Sequence, residues 1–153
     1  MDFSGEETIK APRQDVWDFL IDPHKATQCA PGLQSVEVIS DTNFKCTVRA
    51  GVGMIRGNFN FDINWNNIDE PTHAEMVANG NAAGSAVQMN STLDLSDTDD
   101  GGTLMKWSAN VRVSGKLAGV GGRLMNPVAD RMTKDIFVCI RSKLEDSNAE
   151  ASA

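Results

Sequence analysis

The hydrophobic period of this chain changes once, near Lys116, and that change limits the possible folds more than any other feature. Between residues 33 and 113 apolar side chains fall on alternate positions. The clearest run sets Phe59, Phe61, Ile63 and Trp65 against Asn58, Asn60, Asp62 and Asn64, a strand with one apolar and one wet face. The same alternation marks Val36 and Val38, then Phe44 to Ala50, then Val87, Met89, Leu93 and Leu95, and finally Met105, Trp107, Ala109, Val111 and Val113. A weaker strand is expected over 73–80. From about Lys116 to Leu144 the spacing becomes three or four, through Leu117, Val120, Leu124, Val128, Met132, Ile136, Ile140 and Leu144. That spacing predicts one amphipathic helix about 40 Å long. Asn126-Pro127 falls inside it, and because Asn as N-cap with Pro at the first helical position would let the helix restart there, a kink or a break is expected.

The opening of the chain is different. Phe3, Gly5, Glu7 and Ile9 share one face of a first strand, and Ala11 to Leu20 carries Pro, an early acid and an apolar stripe, the marks of a short helix. Asp22-Pro23 stops it, and a second helical turn from His24 to Cys29 ends at Ala30-Pro31-Gly32. Asp41-Thr42-Asn43, Asp69-Glu70-Pro71 and the run Asp97 to Gly102 read as turns between strands. A meander of half-apolar strands must bury one face, and a single long helix is the only cover available. The fold class is therefore α+β, a helix-grip arrangement. A curved antiparallel sheet of about six or seven strands wraps a long C-terminal helix, with two short helices after the first strand. At 153 residues the chain fits one domain, placed at 1–145, with the small acidic stretch 146–153 expected to be a disordered tail.

Charge narrows the partners. Lys and Arg number 14 against 21 Asp and Glu, a net charge of −7, and no basic cluster stands out, so nucleic acid is not expected. The acidic start lacks the apolar core of a signal peptide, and no run reaches the roughly 20 apolar residues of a membrane span. A cytoplasmic location follows as the expectation. Cys29, Cys46 and Cys139 are odd in number and lack metal-site spacing, so they read as reduced thiols filling the core.

Candidate chemistry is sparse. His24 and His73 stand apart from any cysteine or paired acid, and there is no tyrosine in the chain, so both read as ordinary surface or capping histidines. Cys29 as a nucleophile lacks a positioned base. Asp97, Asp99 and Asp100 lack the downstream Glu of a calcium loop and read as a solvated turn. Gly51, Gly53 and Gly57 do not have phosphate-loop spacing and read as bent strand ends. No catalytic and no metal-binding residue is expected. The apolar faces remain, and Phe61, Ile63, Trp65, Met105, Trp107, Ala109, Leu124, Val128 and Met132 are expected to point between sheet and helix, as plain core or as the lining of a pocket. In a sheet that curves away from its helix the pocket is the better reading.

A family resemblance enters through several short stretches. Ile9-Lys10-Ala11-Pro12 with Asp15-Val16-Trp17 and Leu20, Asp22-Pro23, and Cys29-Ala30-Pro31-Gly32 resemble the opening of a START/Bet v 1-like (SRPBCC) domain. Gly51 to Gly57, Gly80 with Gly84, and Val113-Ser114-Gly115-Lys116-Leu117-Ala118 with Gly121, Arg123 and Leu124 resemble the CoxG family of carbon monoxide dehydrogenase subunits. The resemblance runs from about Phe3 to Leu144. It implies a helix grip with an elongated hydrophobic cavity. It also implies an accessory role, binding a quinone-like lipophile in the service of a CO-dehydrogenase-like molybdenum hydroxylase at the membrane. No C-terminal extension suited to membrane attachment is evident after Leu144, so the membrane contact expected is a transient one at the inner face. The expected function is non-enzymatic binding of a lipophile, with no covalent cofactor. A small helix-grip enzyme of cyclase or hydrolase type and a protein interaction module are the alternatives.

Overall fold

Seven strands form one antiparallel sheet in the order β1-β7-β6-β5-β4-β3-β2. They are β1 (Asp2–Ile9), β2 (Leu33–Val38), β3 (Asn43–Val52), β4 (Ile55–Asp69), β5 (His73–Ala82), β6 (Ser85–Asp97) and β7 (Thr103–Gly115). The computed structural model describes residues 1–52, 55–82, 84–120 and 122–152, with the backbone alone at 52, 55, 120, 122–124 and 146–152. Gly53 and Gly121, named above, lie outside the described residues. Strands β2 to β7 follow one another as neighbours, and β1 closes the far edge against β7.

Cross-strand register carries each apolar row unbroken across the sheet, because residues directly opposite share a face. Phe44, Cys46 and Val48 face Ile63, Phe61 and Phe59. Trp65 faces Met76, which faces Ser91, which faces Ala109, which faces Phe3. The next row runs Ala74, Leu93, Trp107 and Gly5. These odd and even parities, set in the sequence, become the concave side of the sheet.

Between β1 and β2 the chain folds over one end of that concave side. Helix α1 (Arg13–Ile21) buries Val16, Trp17 and Phe19, and Thr103 Oγ1 donates to the Ala11 carbonyl at 2.8 Å from a fully buried position. Helix α2 (Pro23–Ala26) starts where Asp22 Oδ1 accepts from the His24 and Lys25 N–H groups at 2.9 and 3.3 Å, with Pro23 in the first turn, a cap of ordinary chemistry. A 3-10 turn, Thr27–Cys29, follows.

The long helix differs from the sequence reading at its start and at its proline. Lys116–Val120 is a 3-10 turn, and helix α3 spans Gly122–Ser152. The reason lies in the end of β6. Lys116 N–H donates to the Gly84 carbonyl at 3.0 Å and Leu117 N–H to Ser85 Oγ at 3.0 Å, so these groups are bound to the sheet and not to a first helical turn. Pro127 lies inside α3, and the helix continues through it without the expected restart. A proline this near the N-terminus removes one intrahelical hydrogen bond only. The helix also runs past residue 145, where the sequence reading placed a tail.

The thiol reading is overturned for two of the three cysteines. Cys29 and Cys139 form a disulfide, with their Cα atoms 5.5 Å apart and a sequence separation of 110. Cys46 is free and buried, and burial pushes its thiol pKa up. Nothing in the spacing of the pair foretold the bond, which exists because the turn at Thr27–Cys29 is folded against α3. The same part of α3 is fastened to β1. Arg141 pairs with Glu7 and donates Nε–H to the Thr8 carbonyl, and Glu145 accepts from the Lys10 N–H at 3.1 Å.

Candidate ligand-binding cavity

Between the concave face and α3 lies a cavity of about 330 Å³, at the lower end of the range for small-molecule sites. Its floor is built by β4 to β7 with Trp65, Ala74, Met76, Met89, Ser91, Leu93, Met105, Trp107, Ala109 and Val111. Phe3 of β1 and Leu20 of α1 close its sides, and Ala129, Thr133, Ile136, Phe137 and Ile140 of α3 form its roof. From Ala129 to Ile140 the helix advances about 16 Å. No lining residue carries an ionisable side chain. A groove of about 620 Å³ over β2 to β5 is larger, but its walls include Glu37, Lys45, Asp62 and several asparagines, a solvated surface with little apolar area to remove from water.

Of the nine residues expected at the site, Trp65, Met105, Trp107 and Ala109 line the cavity. Phe61 and Ile63 do not. They pack against the separate cluster of Phe44, Cys46 and Val48. The ring of Phe61 lies across Gly80, where a built Cβ would stand 2.4 Å from Cε1. Val128 and Met132 are half-buried but outside the lining, and the side chain of Leu124 lies outside the described residues. Val128 and Met132 fall outside the lining for a geometric reason. A strict step of four advances each residue about 40° around a 3.6-residue helix, so the line drawn back from Ile140 walks off the buried face. The true lining alternates steps of three and four, through Ala129, Thr133, Ile136 and Ile140. Met89, Leu93 and Val111 shared the parity of residues already singled out, and Phe3 that of the first strand, so those floor positions were within reach of the pattern.

Trp107 is held from two sides. A Cβ at Gly5 would sit 3.0 Å from its Nε1, and the ring of Phe137 packs against it with centroids 5.9 Å apart. The indole is thus set between β1 and α3. Ser91 Oγ donates to the Ser108 carbonyl at 3.1 Å and Thr133 Oγ1 to the Ala129 carbonyl at 2.8 Å. Trp65 Nε1 and Trp107 Nε1 are buried and have no acceptor among the described residues.

The other residues weighed for chemistry stand apart from the cavity lining. His24 is exposed on α2. His73 Nδ1 lies 2.7 Å from Asp94 Oδ1, and that hydrogen bond raises its pKa above the usual histidine value. Asp100, in the turn between β6 and β7, is held below the usual carboxylate range first by Thr98 Oγ1 and then by the Gly102 N–H. Cys29 is committed to the disulfide.

A curved seven-stranded antiparallel sheet closed by one long C-terminal helix, with short helices after the first strand, defines a helix-grip protein of the START/Bet v 1 type. The fold recurs in solved structures. A START superfamily protein from Mycobacterium smegmatis matches with a TM-score of 0.75 at 11% identity, over 95% of this chain and 97% of that one. Ara h 8.0201 matches with 0.64 at 19%, over 95% and 98%. A conserved protein from Geobacillus kaustophilus is nearer, with a TM-score of 0.89 at 26% identity over 96% and 97%. No curated protein matches the chain. Within this class the chain belongs to the CoxG family of carbon monoxide dehydrogenase subunits, whose profile matches residues 5–145.

Proposed function

We propose that this protein binds a lipophilic ligand, a quinone, between its sheet and α3 without doing chemistry on it, as an accessory to a CO-dehydrogenase-like molybdenum hydroxylase. The observation that carries the reading is the cavity wall. Seventeen residues line it and none is ionisable, so nothing there can serve as general acid, general base or charged nucleophile. What the wall offers instead is apolar area, which favours an apolar ligand by about 25 cal/mol per Å² removed from water. At about 330 Å³ the cavity suits a ring head and a short length of tail, leaving the rest of a long isoprenoid outside. The family name supplies the partner class. Among the described residues no helix is long and apolar enough to cross a membrane, and a quinone is a membrane solute, so loading is proposed to occur by contact with a membrane surface.

Native mass spectrometry of the protein purified from its own host tests this directly. The expected spectrum contains a non-covalent adduct of quinone mass that is lost on gentle activation. A ligand-free protein that also fails to take up a prenylated quinone from detergent would sink the reading and leave a protein interaction module.

A further inference from the structure

The polar atoms of the cavity wall are of two kinds. The hydroxyls of Ser91 and Thr133 have already given their hydrogens to backbone carbonyls. The indole N–H groups of Trp65 and Trp107 have not, since neither has an acceptor among the described residues. A buried donor without an acceptor is a standing cost to a fold, and native structures keep few of them. A phenylalanine would supply similar apolar area at either place without that cost. The two indoles stand on β4 and β7 with β5 and β6 between them. Trp65 lies in the cross-strand row of Met76, Ser91 and Ala109, and Trp107 in the adjacent row with Leu93. Two donors are thus built into opposite sides of one floor, and Trp107 is fixed there by Gly5 and Phe137.

We propose that Trp65 and Trp107 are the polar anchors of the cavity, each donating its indole N–H to an acceptor oxygen of the ligand. The proposal rests on the lipophile-binding reading above and adds to it the two groups that orient the ligand's polar head. A quinone oxygen accepts and donates nothing, so it matches an indole N–H completely. Reduction adds two electrons and two protons and turns both C=O groups into C–OH, whose oxygens still accept. The hydroxyl oxygens of Ser91 and Thr133, having given their hydrogens to the backbone, keep lone pairs and are the side-chain acceptors of the lining. The two indoles are its side-chain donors, and either oxidation state presents acceptor oxygens to them. No electron moves in this protein under the proposal.

The test titrates the intact, disulfide-bonded chain by calorimetry with four naphthalene derivatives that share a short prenyl tail. These are the para-quinone, its dihydroxy form under argon, its dimethoxy ether and the oxygen-free hydrocarbon. The quinone, the dihydroxy form and the ether all carry acceptor oxygens, and the quinone is expected to bind at least about tenfold more tightly than the hydrocarbon. Trp65→Phe and Trp107→Phe should each weaken the quinone about three- to tenfold and leave the hydrocarbon unchanged, a split that loss of packing alone does not produce. A second readout needs no variant. In nitrogen–proton correlation spectra of the parent protein, the indole signals of Trp65 and Trp107 should move downfield with the quinone and not with the hydrocarbon, with Trp17, which is outside the lining, as reference. Equal affinity for quinone and hydrocarbon, or unmoved indole signals in the saturated complex, overturns the anchor role while lipophile binding stands. Failure of all four compounds to bind removes the lipophile reading itself.

Discussion

Two glycines on the concave face exist to be covered by aromatic rings, and they differ in how much room remains. A Cβ at Gly80 would stand 2.4 Å from Phe61 Cε1, inside any tolerated contact, whereas at Gly5 the nearest atom is Trp107 Nε1 at 3.0 Å. Gly80→Ala should therefore cost about 1–3 kcal/mol through overpacking. Gly5→Ala should be close to neutral, since its small clash is offset by the lower entropy of the unfolded chain. Paired urea unfolding curves check this, and a larger loss at Gly5 than at Gly80 contradicts it. His73 gives a pH dependence. Its raised pKa, due first to the Asp94 hydrogen bond, means that the folded state holds the proton more tightly than the unfolded one. The stabilisation is full below the unfolded pKa, near 6.5, and is lost as pH rises through the folded value. Asp94 lies at the surface, so the effect is small. Melting temperature should fall slightly between about pH 6 and 8, and His73→Gln should abolish that slope.

At the scale of elements, among the described residues α3 is fastened in its C-terminal half. The disulfide to Thr27–Cys29, the pairing of Arg141 with Glu7 and the bond from Lys10 to Glu145 all fall within residues 139–145 of the helix. The roof of the cavity begins ten residues earlier, at Ala129. Closing a chain segment of 110 residues restricts the unfolded ensemble, a contribution of about 2–4 kcal/mol. Replacing Cys29 and Cys139 together by alanine should lower the melting temperature by roughly 5–15 °C, with a reducing agent reproducing the shift in the parent and not in the variant. An unchanged melting temperature in both would show that the bond is unimportant for stability. The helix also shows how an amphipathic pattern is misread. Its apolar residues were legible one by one, but the face they share depends on whether each step is three or four.

For the whole molecule the cavity is what the sheet and helix make together, and its volume is the quantity to perturb. Ala109 sits on the floor between Ser91 and Phe3, and a larger side chain there projects into the space proposed for the ligand. Ala109→Trp should keep the fold, since it adds apolar volume to an existing void, and should weaken binding of a menaquinone-like molecule at least about tenfold, near 1.4 kcal/mol. Calorimetric titration of parent and variant reads the change. Unchanged affinity in a folded variant would place the ligand away from this cavity.

The strands, their alternation and the single change of period were written in the sequence, because side-chain parity is a local property of an extended chain and fixes which residues share a face. That was enough for the helix grip and for Trp65, Met105, Trp107 and Ala109. Other features depended on where distant segments came to rest. Phe61 was drawn over Gly80 on the next strand, α3 was delayed to Gly122 by the bonds that Gly84 and Ser85 make with residues 116 and 117, and Cys29 met Cys139 across the fold. Each is a contact between residues far apart in the chain or on different strands. The sequence pattern carries no term for such contacts, and only the packed tertiary structure decides them.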